Sequence, residues 1–247
     1  MDVTFFLRLA FQALLADAFF RLAKGCVALY GREEWNFTLR DYVRETVKHA
    51  AEYAPTAPKG RALPTSFAYW AFLGLAAACV FAADAAFPEA PLKSAYAALL
   101  ALPLLSMGYV DIKLQYLPDF IMAVAVALSL AQTAGEVFLP WKASLAGGAV
   151  GFGLMWGINA VFKLVRKKDG MGAGDFKLTG TLGLWLGVAP LPYLLFLSSF
   201  IGLSGAIGAG IMSRSGVPRR FAYGPALALA GYALILLRDI AGKYGLW

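Results

Sequence analysis

Apolar runs of bilayer length constrain this chain more than any other feature. Seven stretches, roughly 66–83, 94–111, 118–135, 143–165, 175–189, 191–212 and 222–238, are apolar over most of their length. A helix of about 20 apolar residues crosses the hydrocarbon core of a membrane. Inside hydrocarbon every backbone N–H and C=O must find a protein partner, which leaves helices or closed barrels. Long apolar runs without strict alternation select helices. The expectation is an all-α, polytopic membrane protein. Charge content agrees, since only 15% of residues are charged where a soluble domain carries about 25%.

The first 65 residues differ in kind. Residues 3–23 are apolar but interrupted by Arg8, Gln12, Asp17 and Arg21, which do not share one helical face. Counting this segment, the chain has about eight transmembrane helices, of which the first is the least regular. Asp17 and Arg21 are four residues apart and are expected to pair within a helix. Residues 24–65 carry many charges and then Pro55, Pro58 and Pro64, the pattern of a water-exposed helix and an extended linker. The division is therefore 1–65, an apolar segment with a charged loop, and 66–247, a transmembrane domain. The start Met1-Asp2-Val3 lacks a basic region and is not expected to be a cleaved signal peptide.

Lys and Arg fix the expected orientation. The loops 24–65, 112–117, 163–174 and 213–221 hold fifteen of them, and the opposite loops with the C-terminal tail hold four. The richer set is expected on the cytoplasmic side. The same asymmetry accounts for the net charge of +7, so no nucleic-acid partner is expected; the partner implied is the lipid bilayer. Glycines at 147, 148, 151, 153 and 157, and at 202, 205, 208 and 210, form small faces for close helix packing.

Two carboxylates carry the chemistry. Asp111 ends the 94–111 run and Asp175 opens the 175–189 run. Two complete spans separate them, so both return to the cytoplasmic face at similar depth. An ionisable group at a membrane boundary is a functional candidate by default. A carboxylate pair can cut a peptide when one member is ionised and takes a proton from water while the other is protonated and donates to the carbonyl oxygen. Each Asp is followed two residues later by a Lys, Lys113 and Lys177. Two helical residues turn about 200°, which directs each Lys away from its Asp and toward the headgroups. Before Asp175 stand Gly170, Gly172 and Gly174, which leave room for an extended substrate backbone. No strand precedes these glycines, so a dinucleotide loop is excluded. Asp119 follows Pro118 at a helix start and is expected to cap that helix or face its dipole.

These motifs resemble a known family. Gly108-Tyr109-Val110-Asp111-Ile112-Lys113 with Leu117-Pro118-Asp119, then Gly170-Met171-Gly172-Ala173-Gly174-Asp175-Phe176-Lys177-Leu178, look like the two signatures of type IV prepilin peptidases, which are GxGD membrane aspartic peptidases. Phe221-Ala222-Tyr223-Gly224-Pro225-Ala226-Leu227 resembles their third short motif. The resemblance runs from about residue 94 to 238. It implies Asp111 and Asp175 as the catalytic pair, with Gly172, Gly174, Lys113, Asp119, Lys177 and Pro225 as substrate-binding or supporting motif residues. It implies prepilin or pseudopilin substrates cut after the Gly that ends a short basic leader, in the bacterial inner membrane with the active site facing the cytoplasm.

The chain departs from the family toward its N-terminus. Longer members carry two zinc-associated CxxC pairs and methylate the new pilin amine. Here only Cys26 and Cys79 occur, in no CxxC pair, and both are expected to be free thiols. The expectation is no metal, no cofactor for peptide cleavage, and S-adenosylmethionine only if methyl transfer is retained, which the reading disfavours. His49, Glu33 and Glu34 fall in the charged region and are expected to be solvated. Two alternatives stand beside this reading. Pro225-Ala226-Leu227 also spells the late motif of presenilin and signal-peptide-peptidase proteases. An ion transporter or assembly scaffold would use the same carboxylates, but it predicts more polar residues at mid-bilayer depth than Ser129, Gln132, Asn159, Ser198, Ser199 and Ser204.

Overall fold

A computed structural model describes residues 3–30, 67–167, 170, 172–213 and 222–245. All regular structure among them is helical. In chain order the helices are α1 (Val3–Tyr30), α2 (Phe67–Ala86), α3 (Pro91–Leu114), α4 (Asp119–Ala134), α5 (Trp141–Arg166), α6 (Ala173–Leu186), α7 (Leu191–Ser213), α8 (Gly224–Leu236) and α9 (Arg238–Lys243). Each of the seven expected spans corresponds to one helix, α2 to α8. By length and composition α3, α5 and residues Leu191–Gly208 of α7 can each cross a bilayer; Trp70–Ala86, α4 and α8 are shorter apolar helices. Residues 31–66, with Glu33, Glu34 and His49, lie outside the described residues.

Local chemistry sets the boundaries. Pro91 and Pro225 sit at the first positions of α3 and α8, where a missing N–H costs nothing. Gln115 turns left-handed at φ 52° and ends α3, so the helix runs three residues past Asp111. Asp111 therefore lies inside the last turn. Gly187, at φ 82°, ends α6, a conformation that glycine adopts without steric cost.

α6 is the centre of the fold. Apart from Lys177, its residues from Phe176 to Leu186 are buried, and it packs on α4, α5 and α8. Its 14 residues are about 21 Å long, less than the roughly 30 Å of a hydrocarbon core. The last carbonyls of α6 thus end inside the protein and need partners there. Side chains supply them. Gln132 Nε2 and Ser144 Oγ donate to the Leu184 carbonyl at 3.0 and 2.5 Å. Arg238 donates to the Trp185 carbonyl at 2.6 Å. Trp185, fully buried, donates its Nε1–H to Ser129 Oγ at 2.6 Å and packs on Phe138 at 5.1 Å between ring centroids. The buried polar residues Ser129, Gln132 and Ser144 are thereby engaged in closing one helix end.

Glycines bring α5 and α6 together, the most extensive helix pair. A Cβ on Gly147 would stand 2.2 Å from the Gly183 carbonyl oxygen, and one on Gly183 would stand 2.3 Å from that of Gly147. The small-residue faces expected here are used at 147, 148 and 151, whereas positions 153 and 157 have nothing within 4 Å of a Cβ.

α1 packs on α2 and α3, and its polar residues have partners. Gln12 Nε2 donates to the Ala98 carbonyl at 2.5 Å, Arg8 lies 3.7 Å from Asp84, and Arg21 pairs with Asp17 at 2.7 Å. The expected Asp17–Arg21 pair is present. Cys26 and Cys79 are free thiols, as expected.

Candidate active site

The site forms where three helix ends and one turn converge: the last turn of α3, the turn 115–118, and the first turns of α6 and α8. Asp111 comes from α3 and is 6% exposed. Its Oδ2 accepts the backbone N–H of Gly224, the first residue of α8, at 3.0 Å. That N–H belongs to the unpaired first turn of a helix, where donors point outward and the dipole is positive. Asp175 comes from the first turn of α6 and is half-buried. Gly174, the residue before Asp175, and Gly224, whose N–H holds Asp111, both lie against Leu117, which brings the two acidic segments to one place. Helices α4 and α5 lie between α3 and α6 in sequence, so the return to one end of the bundle matches the sequence expectation.

Leu117 is the keystone of this convergence. A Cβ on Gly174 would meet the Leu117 Cβ at 2.8 Å, and one on Gly224 would meet Leu117 Cδ2 at 3.2 Å and Asp111 Oδ2 at 2.8 Å. The glycine at 174 is thus required by packing against Leu117. On the side where a Cβ would project, the space at Gly174 is filled by Leu117, which fits the supporting role expected of it. Gly172 is where the expected room for a substrate remains: it is exposed, and the atom nearest to its would-be Cβ is Asp175 Oδ2 at 3.9 Å. Gly108 and Pro225 also meet, at 3.8 Å from a Cβ on Gly108, which seats the start of α8 on α3.

The two lysines behave differently. Lys113 is exposed. Lys177 turns away from Asp175, but it does not simply extend outward. Its Nζ donates to Asp119 Oδ1 at 2.5 Å, an ion pair between α6 and α4. Asp119 is the first residue of α4, and no side-chain cap bond is made there. The expected cap is replaced by an interhelical partner, while the negative charge still faces the positive end of the α4 dipole. An apolar groove of about 750 Å³ runs from Asp119 and Lys177 between α4, α5 and α6, away from both carboxylates.

Three residues named from the sequence take supporting roles that it did not assign. Gly224 donates to Asp111, and Tyr223 beside it shares a 2.5 Å hydrogen bond with the buried Ser198 of α7, which fixes the turn that aims this N–H. Asn159 Oδ1 accepts the Gly170 N–H at 2.9 Å, which ties the glycine loop to α5. A lone Asn late in an apolar helix was the available signal for the last of these.

Residues 98–207 match the type IV leader peptidase family. The matched segment contains Asp111, Asp119, Asp175 and Lys177 and stops before Gly224. Among curated relatives, the prepilin leader peptidase/N-methyltransferase of Neisseria gonorrhoeae is 38% identical over 144 residues, which is 58% of this chain and 49% of that protein. The protein of the same name from Pseudomonas aeruginosa is 39% identical over 146 residues, covering 57% of this chain and 49% of its own length. That of Dichelobacter nodosus is 34% identical over 146 residues, covering 59% and 50%. The chain spans about half the length of these curated relatives. No solved structure matches it.

Proposed function

We propose that this protein is a membrane aspartic endopeptidase that removes the leader peptide of prepilins or pseudopilins. The observation that carries the reading is the convergence of the Asp111 and Asp175 segments around Leu117, inside a stretch matching a leader peptidase family. A buried carboxylate aligned by a backbone N–H, next to a second, half-buried carboxylate, suits acid–base chemistry on a peptide bond.

In this mechanism a water sits between the two carboxyl groups. The ionised one takes its proton as the oxygen attacks the scissile carbonyl carbon. The protonated one donates to the carbonyl oxygen. The resulting tetrahedral intermediate collapses when a proton passes to the departing amine and the C–N bond breaks. Two like charges held close favour this mixed protonation state. The exposed Gly172 offers backbone approach for an extended substrate next to Asp175.

The topology that fits is eight membrane-crossing helices, α1 to α8, with the ends carrying Asp111 and Asp175 at the cytoplasmic face of the bacterial inner membrane. The Lys and Arg distribution supports that orientation. The cut then falls after the Gly that ends a basic leader. We propose a first unit over residues 1–65, a catalytic unit over 66–247, peptide cleavage without a cofactor, no zinc site, and S-adenosylmethionine only if methyl transfer is retained, which this reading disfavours. The absence of any CxxC pair in the sequence supports the lack of a zinc site of the usual spacing. The test is incubation of the membrane-reconstituted protein with a prepilin and mass spectrometry of the product. Cleavage after the leader Gly supports the reading; an uncut prepilin with a folded protein refutes it.

A further inference from the structure

The two helices that carry the carboxylates make little direct contact. α3 and α6 each pack instead on α4 and on α8. The separation of Asp111 and Asp175 is therefore set by intermediaries. On the α8 side the link is the Gly224 N–H on Asp111. On the α4 side there are two links. One is Leu117 against Gly174. The other is the ion pair between Asp119 and Lys177.

The pair is placed where small motion would matter most. Asp119 follows Asp111 by eight residues, and Pro118 before it has a fixed φ. Lys177 follows Asp175 by two residues on the same first turns of α6. A change in the Asp119–Lys177 distance thus moves the two carboxylate-bearing segments relative to one another. The side chains are 69% and 45% exposed, so the pair adds little to global stability, about 0–1 kcal/mol for exposed pairs in general. Its value lies in geometry, because a displacement of about 1 Å at reacting groups can lower a rate on the order of 100-fold.

We propose that Asp119 and Lys177 are positioning residues: their ion pair is a clamp that holds the α3–α4 turn against the start of α6 and so fixes the spacing of Asp111 and Asp175. The catalytic part of this inference rests on the peptidase reading above. The clamp itself is a structural claim and is tested separately.

Two measurements keep the claims apart. The first is the distance between spin labels at Lys113→Cys and Ala173→Cys, both exposed positions, in a chain with Cys26 and Cys79 replaced by Ala, in lipid nanodiscs. A narrow distribution is expected with the pair intact. Asp119→Asn and Lys177→Gln should each broaden it, the double variant should broaden it no further, and Lys177→Arg should keep it narrow. Unchanged distributions in both single variants overturn the clamp whether or not the protein cleaves a prepilin. The second is prepilin cleavage. Asp119→Asn and Lys177→Gln should each lower kcat about tenfold with KM nearly unchanged, the double variant should equal the singles, and Lys177→Arg should recover most of the rate. Losses that multiply in the double variant, or a rise in KM at constant kcat, overturn a positioning role. If the unaltered protein leaves prepilin uncut, the peptidase reading fails and the spin-label distances alone decide the clamp.

Discussion

Replacing Gly224 with Ala tests how the candidate site is assembled. The new Cβ would stand 2.8 Å from Asp111 Oδ2 and 3.2 Å from Leu117 Cδ2. Carbon–oxygen contacts relax at roughly 3.3 Å, so the carboxylate must retreat by about half an ångström. Leu117 blocks part of the escape, because its own side chain is held against Gly174. The retreat stretches the 3.0 Å bond from the Gly224 N–H, a class of bond to a charged group worth about 1.5–3 kcal/mol. If about 1 Å of misplacement costs on the order of 100-fold, half of it costs about tenfold. The expected result is a kcat for prepilin cleavage about ten times lower, with KM changed little. Overpacking should also cost roughly 1–3 kcal/mol of stability, so thermal unfolding in detergent is measured alongside and cleavage is assayed well below the transition. Gly157→Ala, where nothing lies within 4 Å of a Cβ, is the control and should cleave normally. A folded Gly224→Ala protein with unaltered kcat would refute the argument that the start of α8 sets the Asp111 carboxylate.

Other outcomes follow from the same packing. Gly147→Ala and Gly183→Ala each drive a Cβ into backbone at 2.2 and 2.3 Å; each should lower stability by about 3 kcal/mol, read as a drop in unfolding temperature, whereas Gly153→Ala should be neutral or slightly stabilising. Arg238→Met removes the donor to the buried Trp185 carbonyl and should destabilise by about 1–3 kcal/mol while cleavage at low temperature persists. Labelled S-adenosylmethionine incubated with the protein and prepilin should leave the processed amine unlabelled; label that disappears on replacing Asp17 would assign methyl transfer to the N-terminal segment.

The sequence makes the helices legible because bilayer-length apolar runs have few alternatives. Their ends were less so. The run ending at Asp111 looks finished where charges begin, but the helix ends where Gln115 turns left-handed, and this difference puts Asp111 inside the last turn with its side chain inward. The run 175–189 ends early, at Leu186, because Gly187 breaks it, a signal that was present and passed over. That Asp111 and Asp175 return to one end of the bundle follows from span parity. The Gly224 donor and the Asp119–Lys177 pair could not, since these contacts join residues 113 and 58 positions apart and leave no local pattern. Gly174 shows the same limit in reverse. A glycine beside an acid looks like room for substrate, and only the fold reveals Leu117 filling that space.

The central claim is that Asp111 and Asp175 act together on a peptide bond. The direct measurement is mass spectrometry of a prepilin incubated with the protein in a bilayer, alongside Asp111→Asn and Asp175→Asn variants shown to be folded and inserted. The account predicts a product shortened by its leader with the unaltered protein and uncut prepilin with either variant. Near-normal cleavage by either variant would contradict it and remove that residue from the pair.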